Sequence, residues 1–202
     1  MLLICSAWEE EVKALKAQRS GFNEEASIRT LGIGYLEAAL QLNKILQDAN
    51  YSRIIFLGTA GSYSQELQIG DIVSVASVAL LNLGTMLEHS YVPQEYNLYA
   101  SSPLTTHHSV TVNCLSSLEV TANETISKTI VERSAFSAKL PLVENLELYG
   151  IAKIASEHNI LWSALLGITN YTNANAHQDW KTNHERVSEK LCQLLMLSAK
   201  AL

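Results

Sequence analysis

Ile54-Ile55-Phe56-Leu57-Gly58-Thr59-Ala60-Gly61-Ser62 joins four consecutive apolar residues to a run of small ones. Apolar residues without alternation predict a strand buried on both faces, the kind found between two layers of helices. Gly58 then predicts the strand's end, and Thr59 to Ser62 a small-residue turn. Two further fragments share this design. Residues 160–168 form a second apolar run, closed by Thr169-Asn170, and Pro141-Leu142-Val143 leads into Glu144-Asn145-Leu146-Glu147. Open α/β sheets bind ligands at such strand ends.

Working outward, strands are predicted at 2–7, 27–31, 54–57, 69–83, 110–114, 118–120, 141–143 and 160–168. Helices are predicted at 9–18, 35–49, 123–139, 145–158 and 180–201. In the 35–49 helix, Leu36, Ala39, Leu40, Leu42 and Ile45 form the expected inward side. Asn123 or Thr121 is the expected cap of the helix that follows. Residues 84–109 read as an irregular loop with one short strand, and 172–178 as a polar surface loop over the strand ends. Strands alternate with helices throughout. The predicted fold is therefore an α/β/α sandwich of three layers around a central mixed sheet, a single domain over 1–202.

Composition narrows the function classes. Hydrophobic residues make up 48% of the 202, enough for a sizeable core. A net charge of −6 with scattered basic residues argues against nucleic acid as partner. No apolar run reaches the length of a membrane span, and Met1-Leu2-Leu3-Ile4-Cys5 is too short for a signal segment. Cys5, Cys114 and Cys192 are too few and too far apart for a disulfide framework or a metal site. A reducing, cytoplasmic location is expected, with no cofactor and no metal. His107-His108 would point to opposite sides of any strand, which argues against a shared ion. His177 and His184 read as solvated.

A hydroxyl, a carboxylate and a carboxamide at three strand ends suit a neutral, hydroxyl-rich ligand such as a nucleoside. A carboxylate at Glu147 can accept from two vicinal hydroxyls at once; an acid in a helix's first turn is equally what the dipole favours. Asn170 can donate and accept, so it can hold purine N7 and a 6-oxo group together, or it can simply form a turn. Three acids, Glu9 to Glu11, open the first helix. Neither glycine turn, 32–34 or 58–61, contains the Lys or Arg that a bound phosphate normally needs.

The ordered set Ala7-Trp8-Glu9-Glu10-Glu11-Val12, Leu31-Gly32-Ile33-Gly34-Tyr35, Gly58-Thr59-Ala60-Gly61, Leu67-Gln68-Ile69-Gly70-Asp71, Val143 to Gly150 and Gly167-Ile168-Thr169-Asn170 resembles the nucleoside phosphorylase and nucleosidase superfamily. Within it, Val143-Glu144-Asn145-Leu146-Glu147, Asn170 and Asp179-Trp180-Lys181 resemble the futalosine hydrolase branch. The resemblance implies a purine nucleoside N-ribosyl hydrolase, active in a bacterial menaquinone route and working as a homodimer. Phosphorylases and methylthioadenosine nucleosidases are its alternatives. It implies Glu11 as general base and Asn170 as the catalytic group at the leaving base. Thr59, Ala60, Gly61, Leu146, Glu147 and Trp180 would bind the substrate, Trp180 by stacking on the base; as a bare sequence feature Trp180 reads equally as a core anchor for the last helix. Glu144 is expected to be only a solvated neighbour of Glu147. One departure stands out. The family commonly has an Arg at the position of Leu166, where it helps to hold the carboxylate and water. A leucine cannot, which makes a non-catalytic nucleoside-binding protein the rival of another class.

Overall fold

A computed structural model of the chain describes residues 1–17, 26–93, 96–104, 109–134, 136 and 139–199. The His107-His108 pair lies outside the described residues. The strands are β1 (Leu2–Ser6), β2 (Ala26–Thr30), β3 (Arg53–Ser62), β4 (Ile72–Leu80), β5 (Tyr99–Ala100), β6 (Val110–Ser116), β7 (Leu142–Glu144) and β8 (Leu161–Tyr171). A 3₁₀ turn, Glu9–Val12, leads into helix α1 (Lys13–Ala17), followed by α2 (Tyr35–Asp48), α3 (Leu83–Met86), α4 (Glu124–Arg133), α5 (Leu148–Glu157) and α6 (Ala176–Ala199). Among the described residues no helix is long and apolar enough to cross a membrane.

The sheet is mixed, as expected. β1 lies between β2 and β3, all parallel. On its other edge β3 pairs β8 in parallel along its length, and on the β1 edge, beyond the end of β1, its C-terminal tip pairs β7 antiparallel. The pairings β7–β6, β6–β4 and β4–β8 complete a closed ring with β3. Helices cover both faces. Ala38, Leu42 and Leu46 of α2 pack with Ile151, Ala152 and Ala155 of α5 against one face. Val12, Leu15 and Val187, Leu191 and Leu195 of α6 cover the other.

Several boundaries differ from the sequence reading. β3 does not stop at Gly58 but runs to Ser62, because β7 and β8 flank its tip and take up the backbone of the small residues. β8 likewise runs to Tyr171, so Asn170 sits inside a strand rather than beyond it. Residues 118–120 form no strand; β6 ends at Ser116. α6 starts at Ala176, inside the expected surface loop. Asn123 caps α4 by accepting the amides of Thr125 and Ile126, as foreseen. In α2 the inward stripe is Ala38, Leu42 and Leu46. Leu36 and Leu40, expected inside, are 64% and 51% exposed. The helix is apolar on two faces, and its spacing alone does not separate them.

α2 and α5 approach closely because α5 carries Gly150. A Cβ there would lie 2.0 Å from the Tyr35 carbonyl oxygen. This contact seats the start of α2 against the start of α5, where Glu147 lies. Gly150→Ala is therefore expected to lower stability by about 1–3 kcal/mol, the usual range for overpacking. Urea denaturation checks it, and an unchanged midpoint would show that the helices can separate freely.

Candidate active site

The C-terminal ends of β1, β3, β7 and β8 surround a cavity of about 320 Å³, a size typical of small-molecule sites. All eight residues singled out above line it: Glu11, Thr59, Ala60, Gly61, Leu146, Glu147, Asn170 and Trp180. Residues separated by up to 169 positions thus meet around one space.

Glu11 is inverted relative to its acidic neighbours. Glu9 and Glu10 point to solvent and pair with Lys16 and Lys13. Glu11 is turned inward by the 3₁₀ turn and is 4% exposed. Its Oε2 accepts the amides of Ala7 at 3.0 Å and Trp8 at 3.4 Å, and its Oε1 accepts the Thr59 amide at 3.1 Å. Burial pushes its carboxyl up to about 8, the nearby Glu147 carboxylate adds to the rise, and the three amides oppose it.

Glu147 stands at the N-cap position of α5, its side chain turned away from the helix amides, and is equally buried. Its Oε1 accepts the Gly34 amide at 2.9 Å. Gly34 has φ +87, a conformation that only glycine adopts readily, and this aims the amide across at α5. Asn145 braces the same region. Its Oδ1 accepts the amides of Glu147 and Leu148, and its Nδ2 donates to the Thr59 carbonyl. One side chain thereby ties the Glu147 backbone to the strand that supports Glu11.

Asn170 owes its placement to a β-bulge. Ala60 pairs with Ile168 and Gly61 with Asn170, leaving Thr169 as the extra residue. Bulges re-aim side chains, and this one lies beside the cavity. Thr169 Oγ1 donates to Asn170 Oδ1 at 2.9 Å, and Asn170 Nδ2 donates to the Tyr171 carbonyl at 3.2 Å. The second proton on Nδ2 is left for a ligand.

The sequence reading missed part of the wall. Trp8, Ile33, Val120, Ala176 and His177 also line the cavity. His177 is exposed, as read, while it stacks on Trp180 at a ring separation of 6.2 Å; His184, also read as solvated, is half-buried, 4.5 Å from Trp180 and 5.6 Å from Trp8. The signal was there: His177, Trp180 and His184 repeat at helical spacing. Glu144 is a further correction. It is not solvated but 3% exposed, and it lines the cavity. Leu166 is fully buried in the apolar core. Among the described residues lining the cavity, none is Lys or Arg.

Three buried carboxyls, Glu11, Glu144 and Glu147, are all raised by burial. For Glu11 the ordinary value is 4.5 and the folded one about 8. Within that window the folded chain holds a proton that the unfolded chain has released, so stability falls as pH rises. The urea midpoint is expected to drop between pH 5 and pH 8. Glu11→Gln should flatten that slope and stabilise the chain at pH 8; an unaltered slope would contradict the burial account.

A 5′-methylthioadenosine/S-adenosylhomocysteine nucleosidase from Helicobacter pylori, solved with butyl-thio-DADMe-Immucillin-A, matches with a TM-score of 0.82 at 14% identity, covering 100% of this chain and 98% of that one. The native futalosine hydrolase of Helicobacter pylori strain 26695 matches with a TM-score of 0.80 at 14% identity, covering 98% and 97%. The nucleosidase of S. pneumoniae, solved with the transition-state inhibitor MT-ImmA, gives 0.80 at 15% identity, covering 99% and 98%. No curated protein matches the chain by sequence. At such identities the likeness speaks for the fold. The sequence profile of the phosphorylase superfamily matches residues 4–199, nearly the whole length, and the chain belongs to that superfamily.

Proposed function

We propose that the chain is a purine nucleoside N-ribosyl hydrolase that releases a 6-oxopurine, of the futalosine hydrolase type. The observation that carries this reading is the convergence of Glu11, Glu147 and Asn170 on one cavity lined, among the described residues, by no cation. Cleavage of the N-glycosidic bond develops positive charge on the ribose and negative charge on the leaving base. Glu147 accepts the ribose hydroxyls, and its carboxylate stabilises the cationic sugar. As the C1′–N9 bond breaks its electron pair passes to the base, Asn170 donates a hydrogen bond from its free N–H to the electron-rich N7 and O6 edge, and the departing purine anion takes its proton from solvent water. Glu11, when ionised, takes a proton from the attacking water, which Thr59 helps to orient. Leu146, Ala60 and Gly61 border the substrate, and Trp180 covers it.

Water rather than phosphate is the nucleophile in this reading. The Gly34 and Thr59 amides, which could hold an anion, already serve Glu147 and Glu11. A phosphate placed there would meet two buried carboxyls and no compensating cation. The buried Leu166, where the family commonly has Arg, favours a second reading: a protein that binds nucleosides without cleaving them.

We also propose that a second copy of the chain is its partner. Ile33, Leu36, Leu40, Leu118 and Val120 are exposed apolar residues, and two of them, Ile33 and Val120, line the cavity. Sedimentation should show a dimer that Leu36→Glu with Leu40→Glu dissociates; a monomeric parent chain refutes this.

Incubation with futalosine, inosine and methylthioadenosine, with and without phosphate, tests the main reading. Hypoxanthine should appear equally in both buffers. Phosphate-dependent release would make the chain a phosphorylase, and tight binding without release a binding protein. Glu147→Gln should lower kcat/KM on the order of 10²–10³-fold with an unchanged circular dichroism spectrum. Asn170→Asp should shift preference towards 6-amino purines, and unaltered selectivity would remove Asn170 from the base site.

A further inference from the structure

Along its inward side α6 changes character. Val187, Leu191 and Leu195 are aliphatic and buried against the sheet. Towards the helix start the same stripe continues as His184, Trp180 and His177, at helical spacing. His177 and Trp180 line the cavity; His184 lies outside that lining and is half-buried. Its imidazole is 4.5 Å from the Trp180 ring at 18° and 5.6 Å from the Trp8 ring at 48°. The two indoles are 6.0 Å apart at 32°. Three rings thus close a triangle between α6 and the turn that carries Glu11, each pair within the range in which aromatic rings attract.

The triangle sits on the backbone that holds Glu11. The Trp8 amide donates to Glu11 Oε2, and the Glu11 carbonyl accepts the Cys192 thiol of α6 at 3.2 Å. Beside His184, Asn183 Nδ2 donates to the carbonyl of Thr169, the bulge residue that re-aims Asn170. α6 is therefore fastened to both sides of the cavity. Burial is the largest cause of the raised Glu11 carboxyl. Among the described residues, the titratable groups that face it are Glu147 at the start of α5 and the Cys192 thiol, and neither brings a positive charge. Packing is what keeps Glu11 dry, and Trp8 and Trp180 belong to the wall of its cavity.

We infer that His184 is a positioning residue: stacked on Trp8 and Trp180 from outside the cavity, it locks the two indoles into the wall that keeps bulk water from Glu11. Without a flat ring at 184 each indole loses a stacking partner, and the wall loosens where α6 meets the Glu11 turn. Small displacements of a positioned catalytic group are costly in rate. The effect on rate rests on the hydrolase reading of the site; the shielding of Glu11 does not.

Two variants separate the ring from its bulk. His184→Leu keeps the bulk and cannot stack; His184→Phe keeps the flat ring. Both lack the imidazole, so its own titration cancels between them. Acrylamide quenching of tryptophan fluorescence should rise in the leucine variant and stay at the parent level in the phenylalanine variant, with Trp162, buried in the core, as a constant background. Urea midpoints across pH give a second readout. In the leucine variant Glu11 is wetter and its carboxyl falls back towards 4.5, so the drop of the midpoint should end about one pH unit lower than in the phenylalanine variant. On a Glu11→Gln background that difference should vanish. For nucleoside cleavage, kcat/KM should fall at least roughly tenfold with leucine and return with phenylalanine. Parent-like quenching and pH dependence in the leucine variant overturn the inference, and so does a midpoint difference that survives Glu11→Gln. A phenylalanine variant quenched more than the parent overturns it even if the leucine variant fails to fold. The expected quenching and midpoint shifts in a chain that cleaves no nucleoside would sink the hydrolase reading and leave His184 in place.

Discussion

Burying a carboxyl group without a cation is the constraint around which this site is arranged. Placing an ionised carboxylate in a low-dielectric interior costs roughly several kcal/mol even after relaxation. Here three such groups border one cavity, and their supporting partners are backbone amides and hydroxyls: Ala7, Trp8 and Thr59 for Glu11, Gly34 for Glu147, Thr121 and Tyr63 for Glu144. Amides oppose the burial but do not cancel it, so the carboxyls stay raised. A proton-accepting group near neutrality is what general base chemistry requires. The same burial makes the cavity hostile to anions and hospitable to a neutral sugar.

The fold delivers these groups through backbone devices. A 3₁₀ turn aims Glu11 inward while its two acidic neighbours face water. Gly34 at positive φ points an amide at Glu147, and Gly150 lets α2 come close enough for it to arrive. Asn145 joins the Glu147 backbone to the Thr59 carbonyl, so two of the carboxyls share one brace. The bulge at Thr169 turns Asn170 towards the cavity. Each device uses a short stretch of backbone or a small or polar residue close to the cavity.

Much of this was legible before the structure. The alternation of apolar runs and helical stripes announced a layered α/β fold, and the glycine turn at 32–34 marked the passage from β2 to α2. What stayed hidden depended on pairing. The tip of β3 looks like a turn because its residues are small; it is a strand because β7 and β8 flank it. Asn170 looked like a strand terminator for the same reason. Glu144 read as solvated because nothing local reveals that Tyr63 and Thr121, 81 and 23 positions away, enclose it. Leu36 and Leu40 read as core because one helix carries two apolar faces. Glu11 was set apart from Glu9 and Glu10 by family resemblance, since their composition is identical.

The central claim is that the buried Glu11 carboxyl, held by three amides, is the base that activates water. The pH dependence of kcat/KM for hypoxanthine release tests it most directly. The account predicts that the rate climbs about tenfold per pH unit and levels off near pH 8, matching the raised Glu11 carboxyl, and that Glu11→Gln removes the rise together with most of the activity. A profile flat from pH 5 to pH 9, or one that Glu11→Gln leaves intact, would contradict it.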